Sequence, residues 1–173
     1  KNCSIRAKLS SNDFSLYGLH AQDLSLDYLQ EQRMIKLSSL RIAFYGGAVE
    51  GAASMNLDTV NLPYHLEMQA NGVKLEKLKM DTLSRNKNIA GTLQSEVKLS
   101  GYVNDLDKLT GSGSVQVKEG RLWELNFFQG LGKLLFAKDF ASIVFSECRA
   151  AFSINNKFIY TDNLKLRSNI ANL

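Results

Sequence analysis

Two histidines, two cysteines and a scatter of carboxylates are the residues of this 173-residue chain whose types could do chemistry. Catalysis needs such groups to converge, with a nucleophile, a base and a charge-stabilising group in reach of one point. The spacing gives no convergence. His20 follows a turn signal, and His65 falls on the polar phase of an alternating run, so both are expected in water at the surface. Serines are plentiful, but no Gly-x-Ser-x-Gly elbow occurs. The glycine-rich stretches open strands rather than helices, which excludes a P-loop or a dinucleotide fingerprint. Asp105 and Asp107 have the spacing that begins a calcium loop, yet the remaining ligands are absent. Asp139 and Glu147 have no evident partner. Cys3 and Cys148 lie far apart, and no Cys/His spacing suits a metal. They could form a disulfide in an oxidising compartment or be two small buried residues; the second reading is favoured. No catalytic residue, metal or cofactor is expected.

The elements that would carry these side chains are strands. Hydrophobic residues make up 45% and charged residues 22%, which is ordinary for a folded domain and excludes disorder. The net charge of +4 comes from basic residues scattered singly, without the clustering that nucleic acid requires. No run of about 18 apolar residues exists to span a membrane as a helix. The start is already strand-like, without a signal-peptide core. The end stops without a turn or cap. The chain is therefore expected to be a piece of a longer protein, with any anchor outside it.

Alternation with a period of two dominates. Cys3–Leu9, Tyr64–Ala70 and Ile89–Leu99 alternate cleanly, and Leu40–Phe44, Val49–Leu57, Val115–Val117, Ala150–Ile154 and Phe158–Leu166 are further strands. One proline and 12 glycines suit a sheet of many hairpins. Two segments read as amphipathic helices: Val73–Leu83, with Leu75, Leu78 and Leu83, and Trp123–Phe136. In the second, Trp123, Phe127, Phe128, Leu131 and Leu135 share a broad apolar face. A short turn is expected over Asp105–Leu109. Glycine-rich turns before Val49 and Val115 hint at a weak repeat.

These patterns predict a mainly β domain with a few helices. Its core is a long, strongly curled antiparallel sheet, either a groove or an open barrel, capped by the Trp123–Phe136 helix. The chain reads as one domain, 1–173, with weak sub-units at about 1–105 and 106–173. The apolar phase places Ile5, Leu9, Val49, Met55, Leu66, Met68, Leu93, Val97, Leu99, Val115, Val117, Phe152 and Ile154 on the dry face. Periodicity alone favours a closed core, either a β-sandwich or a barrel plugged by the Trp123–Phe136 helix.

The stretch Leu109-Thr110-Gly111-Ser112-Gly113-Ser114-Val115-Gln116-Val117-Lys118-Glu119-Gly120-Arg121-Leu122 resembles the C-terminal region of the AsmA family of bacterial envelope proteins. Leu125–Phe136 stands in the place of that family's helix. Ala151 to Ser168 is similar to its closing hairpin, with Asn155-Asn156 where a glycine turn is usual. Gly46-Gly47-Ala48-Val49-Glu50-Gly51 resembles its glycine-started strand. The resemblance covers about Leu40 to Ser168. It implies a periplasmic body anchored to the inner membrane of a Gram-negative bacterium by a segment outside this chain. It also implies a hydrophobic groove that binds or conducts phospholipid acyl chains in support of outer-membrane assembly. The alternative is a structural or interaction domain of the envelope with a filled core and no ligand.

Overall fold

The computed structural model describes residues 4–121, 145–156, 158–161 and 163–168. The expected Trp123–Phe136 helix, with Trp123, Phe127, Phe128, Leu131 and Leu135, lies outside the described residues, as do Cys3 and Asp139.

The described residues form one ten-stranded antiparallel sheet. Its strands are β1 (Ser4–Leu16), β2 (Leu19–Glu31), β3 (Met34–Phe44), β4 (Gly47–Asn56), β5 (Pro63–Lys74), β6 (Ala90–Tyr102), β7 (Asp105–Arg121), β8 (Phe145–Asn155), β9 (Phe158–Tyr160) and β10 (Lys165–Ser168). The order is a plain meander from β1 to β8, with β9 and β10 both paired to β8. The sheet is open: β1 lies at one edge and the two short strands lie at the other. The chain between β5 and β6 carries a single helical turn, α1 (Leu75–Leu78), followed by a 3-10 turn over Lys79–Asp81.

Tight turns follow from residues that accept left-handed backbone. Tyr17-Gly18 and Tyr45-Gly46 both have positive φ, at 51° and 81° and at 45° and 82°. Two such residues in sequence make the hairpin turn whose twist matches the flanking strands. Asn156 takes φ 49° at the last hairpin, so asparagine supplies there the conformation that glycine usually gives.

Left-handed residues inside strands do a second job. Ser39 has φ 54° at the register shift between Leu37 and Leu40, and Gly72 has φ 74° at the shift between Ala70 and Val73. Each inserts one residue, so the apolar phase moves from odd to even, or the reverse, while the same face stays apolar. Bulges also bend strands and increase their twist. Glycines add to the bend. A Cβ on Gly113 would lie 2.5 Å from the Glu96 carbonyl oxygen and 2.6 Å from Phe152 Cζ, and one on Gly111 would lie 2.3 Å from the Lys98 carbonyl oxygen. Such close approach of backbones is where a strand glycine is needed.

Several expectations need correction. Asp105–Leu109 is not a turn but the start of β7; the turn is Val103-Asn104, and Asp105 is tied by an ion pair to Lys108 at 2.9 Å. The helix expected from Val73 begins only at Leu75, because Val73 pairs with Leu93 in the sheet and is the most completely buried described side chain, at 1% exposure. Leu83 points into solvent instead of sharing a face with Leu75 and Leu78. Phe158–Leu166 is not one strand but β9 and the start of β10, separated at 161–164. Glu147 has partners: it accepts from Gln116 Nε2 at 2.8 Å and lies near Arg149 and Arg167.

The glycine argument gives a direct test. Gly113→Ala is expected to cost about 1–3 kcal/mol, because the new methyl meets backbone that cannot give way. Urea unfolding checks this: the midpoint should fall with an unchanged slope. An unchanged midpoint would show that the strands at Gly113 are not so close.

Candidate functional site

Residues directly opposite each other in a sheet share a face. Following the pairing from strand to strand therefore maps both faces. One row runs Ala7, Tyr28, Leu37, Ala53, Leu66, Leu99, Gly111, Ile154 and Ile159, from β1 to β9. Its eight strand spacings of about 4.8 Å give roughly 38 Å of nearly unbroken apolar surface. The next rows on the same face are Leu40, Gly51, Met68, Val97, Gly113 and Phe152, then Ile42, Val49, Ala70, Ser95, Val115 and Ala150. A further row is Val73, Leu93, Val117, Cys148 and Leu166. Ile5 and Met55 join through Gln30 and Ile35, and Leu9 through Leu26. The pairing thus puts Ile5, Leu9, Val49, Met55, Leu66, Met68, Leu93, Val97, Leu99, Val115, Val117, Phe152 and Ile154 on one face.

The other face is mainly polar, with Leu29, Met34, Ala52 and Ala151 among its apolar exceptions. Lys36, Ser54, His65, Ser100, Thr110 and Asn155 form one row, and Ala52, Glu67, Lys98, Ser112 and Ser153 the next. His65 Nδ1 lies 2.9 Å from Ser100 Oγ, and its Nε2 lies 3.2 Å from Glu67 Oε1. The hydrogen bond from His65, and then the Lys98 ammonium, hold the Glu67 carboxyl below its ordinary range. This cluster is solvated on all sides and makes a surface network, not a site.

The described residues cover the apolar face thinly. Among them the buried hydrophobic side chains are Ala21, Val73, Ile89, Val117 and Ala150, of which Val73 alone is fully buried. Ile5 and Leu9 remain 49% and 48% exposed. Large contiguous apolar patches are commonly sites of interaction. Among the described residues, the chain folds over this face only toward β7 and β8. There the 75–89 segment and the sheet border an open-sided cavity of about 490 Å³, lined by Leu75, Leu78, Lys79, Thr82, Ser84, Ile89, Val115, Val117, Cys148, Ala150, Phe152, Ile159, Thr161 and Leu164. The cover is pinned at several points. Tyr45 donates its hydroxyl proton to Asp81 Oδ2 at 2.6 Å and accepts from the His20 amide. Gly91 N–H donates to Glu76 Oε2 at 3.3 Å, and Lys79 Nζ donates to the Lys87 carbonyl at 2.7 Å. Partial burial and the bond to Asp81 push the Tyr45 phenol above its ordinary value.

A family model for the AsmA family matches residues 4–155. The chain belongs to the AsmA family. That membership marks it as an envelope-related protein, and the match reaches back through β1, upstream of the stretch whose motifs carry the resemblance. Comparison with curated proteins and with solved structures gives no match. Among the described residues no helix is long and apolar enough to cross a membrane.

Of the cavity wall, Val115, Val117 and Phe152 are among the residues expected from alternation, whereas Leu75, Leu78, Ile89, Cys148 and Ala150 are not. The Leu75/Leu78 spacing signals a small apolar face but not what it covers. Cys148 is a free thiol, half-buried against the cavity, and burial pushes its pKa above the ordinary value. The thiolate is the reactive form, so a raised pKa slows alkylation at neutral pH. In a Cys3→Ser variant, Cys148 should react with a maleimide more slowly than free cysteine at pH 8, the gap closing above pH 9. Equal rates at pH 8 would mean that the thiol is solvated.

Proposed function

We propose that this AsmA-family domain is a non-enzymatic module of the periplasm that binds or conducts lipid acyl chains along its apolar face. The observation that supports this most is the row from Ala7 to Ile159, which stays nearly all apolar across the sheet while the opposite face is mainly polar. Moving an acyl chain of about 16 carbons through water costs on the order of 12 kcal/mol, at about 0.8 kcal/mol per CH₂. A continuous apolar strip removes most of that cost, and no bond has to be made or broken. Family membership fits a role in phospholipid traffic and outer-membrane assembly, with anchorage to the inner membrane of a Gram-negative bacterium through a segment outside this chain.

The period of two makes the proposal testable. A photo-crosslinking residue at Leu66, Met68 or Val97 should capture phospholipid in cells. The same residue at His65, Glu67 or Lys98, one position away on the polar face, should capture none. Val97→Asp should impair lipid passage, because a chain sliding past an ionised group must share its poorly hydrated surroundings. Thermal melting of that variant separates lost passage from lost fold. Equal labelling from both faces, or none from either, would favour a structural domain with a filled interior.

A further inference from the structure

The cavity under the 75–89 segment differs from the rest of the apolar face in having one cation in its wall. Lys79 lines it, half-buried, and its ammonium group donates to the Lys87 carbonyl at 2.7 Å. An ammonium group carries three donors. The structure gives Lys79 no carboxylate partner among the described residues. The acids of its own segment are engaged elsewhere, Glu76 by the Gly91 amide and Asp81 by the Tyr45 hydroxyl. An anion placed at the cavity wall by a ligand would add a charge-assisted hydrogen bond to this ammonium group.

The size of the cavity limits that ligand. A methylene occupies about the volume of a water molecule in the liquid, roughly 30 Å³. A cavity of about 490 Å³ is therefore of the size of one acyl chain of about 16 carbons. Phe152, in the cavity wall, pairs with Gly113, and that row continues through Val97 to Met68 on the open face beyond the cavity. A second chain has that open surface to lie on.

Resting on the acyl-chain reading above, we propose that this cavity is a holding site for a single phospholipid. One acyl chain lies under the 75–89 segment, the other lies on the open face, and the phosphate sits on the Lys79 ammonium. Most of the apolar face has no polar group to fix a lipid's position along the rows. Lys79 supplies one, and it selects phosphate-bearing lipids over neutral ones of the same chain length.

The test is equilibrium binding of labelled lipid by the purified chain. Dioleoyl phosphatidylglycerol and dioleoylglycerol are supplied in turn in micelles of an uncharged alkyl maltoside, which carries no phosphate. The wild type should prefer phosphatidylglycerol. Lys79→Met keeps the length and removes the charge, and should weaken phosphatidylglycerol binding roughly tenfold, as loss of one charge-assisted hydrogen bond implies, with dioleoylglycerol unchanged. Lys79→Arg should restore the preference. Ala150→Phe, which fills the cavity, should weaken both lipids, with circular dichroism melting to confirm that it still folds. If Ala150→Phe does not fold, Leu78→Phe fills the cavity from the cover instead. Equal affinities for the two lipids in the wild type, or a preference that survives Lys79→Met, would overturn the holding site and leave acyl-chain binding intact. Binding of neither lipid would overturn both.

Discussion

An antiparallel sheet this long must keep its apolar residues on one face through every strand, although the backbone flips the side chains at each step. A slip of one residue anywhere moves a whole strand's apolar set into water. The chain meets this constraint with bulges rather than with perfect alternation. Ser39 and Gly72, both left-handed, each insert one residue and so restore the phase across β3 and β5. With the phase restored, Leu37, Ala53, Leu66, Leu99 and Ile154 stand in one row. Everything said about the face, the cavity and the lipid depends on that registry.

The same devices decide what could be seen in the sequence. β6 alternates from Leu93 to Leu99 without interruption, and it was the clearest strand to read. β2 carries a change of apolar phase at Asp23, whose φ is 52°: Leu19 and Ala21 are odd, Leu24, Leu26 and Tyr28 are even. A simple period-two reading finds no strand there. β3 was legible only after Ser39 for the same reason. In β7, glycines occupy the apolar phase at positions 111 and 113, so most of the longest strand has no hydrophobic signal. Those glycines are apolar-face residues by position, with Leu99 and Phe152 crowding the space a side chain would take.

The cavity was less legible than the face. Faces follow from alternation, which is local. A cavity depends on where a connecting segment folds back, and the anchors of 75–89 are long-range: Tyr45 to Asp81, and Glu76 to the Gly91 amide. Nothing in the spacing of Tyr45 and Asp81 marks them as partners. The cover, as described, comes from the β5–β6 connection. That connection covers one end of the apolar face and leaves the β1 end, with Ile5 and Leu9, half exposed.

The central claim is that lipid occupies the apolar face. The most direct measurement is native mass spectrometry of the intact protein released gently from cell envelopes, with the bound mass identified after extraction. The account predicts adducts of phospholipid mass, lost on Val97→Asp while the protein stays folded. Protein that carries no lipid, with its inward residues nonetheless protected from solvent labelling, would contradict the account and show that the chain fills its own interior.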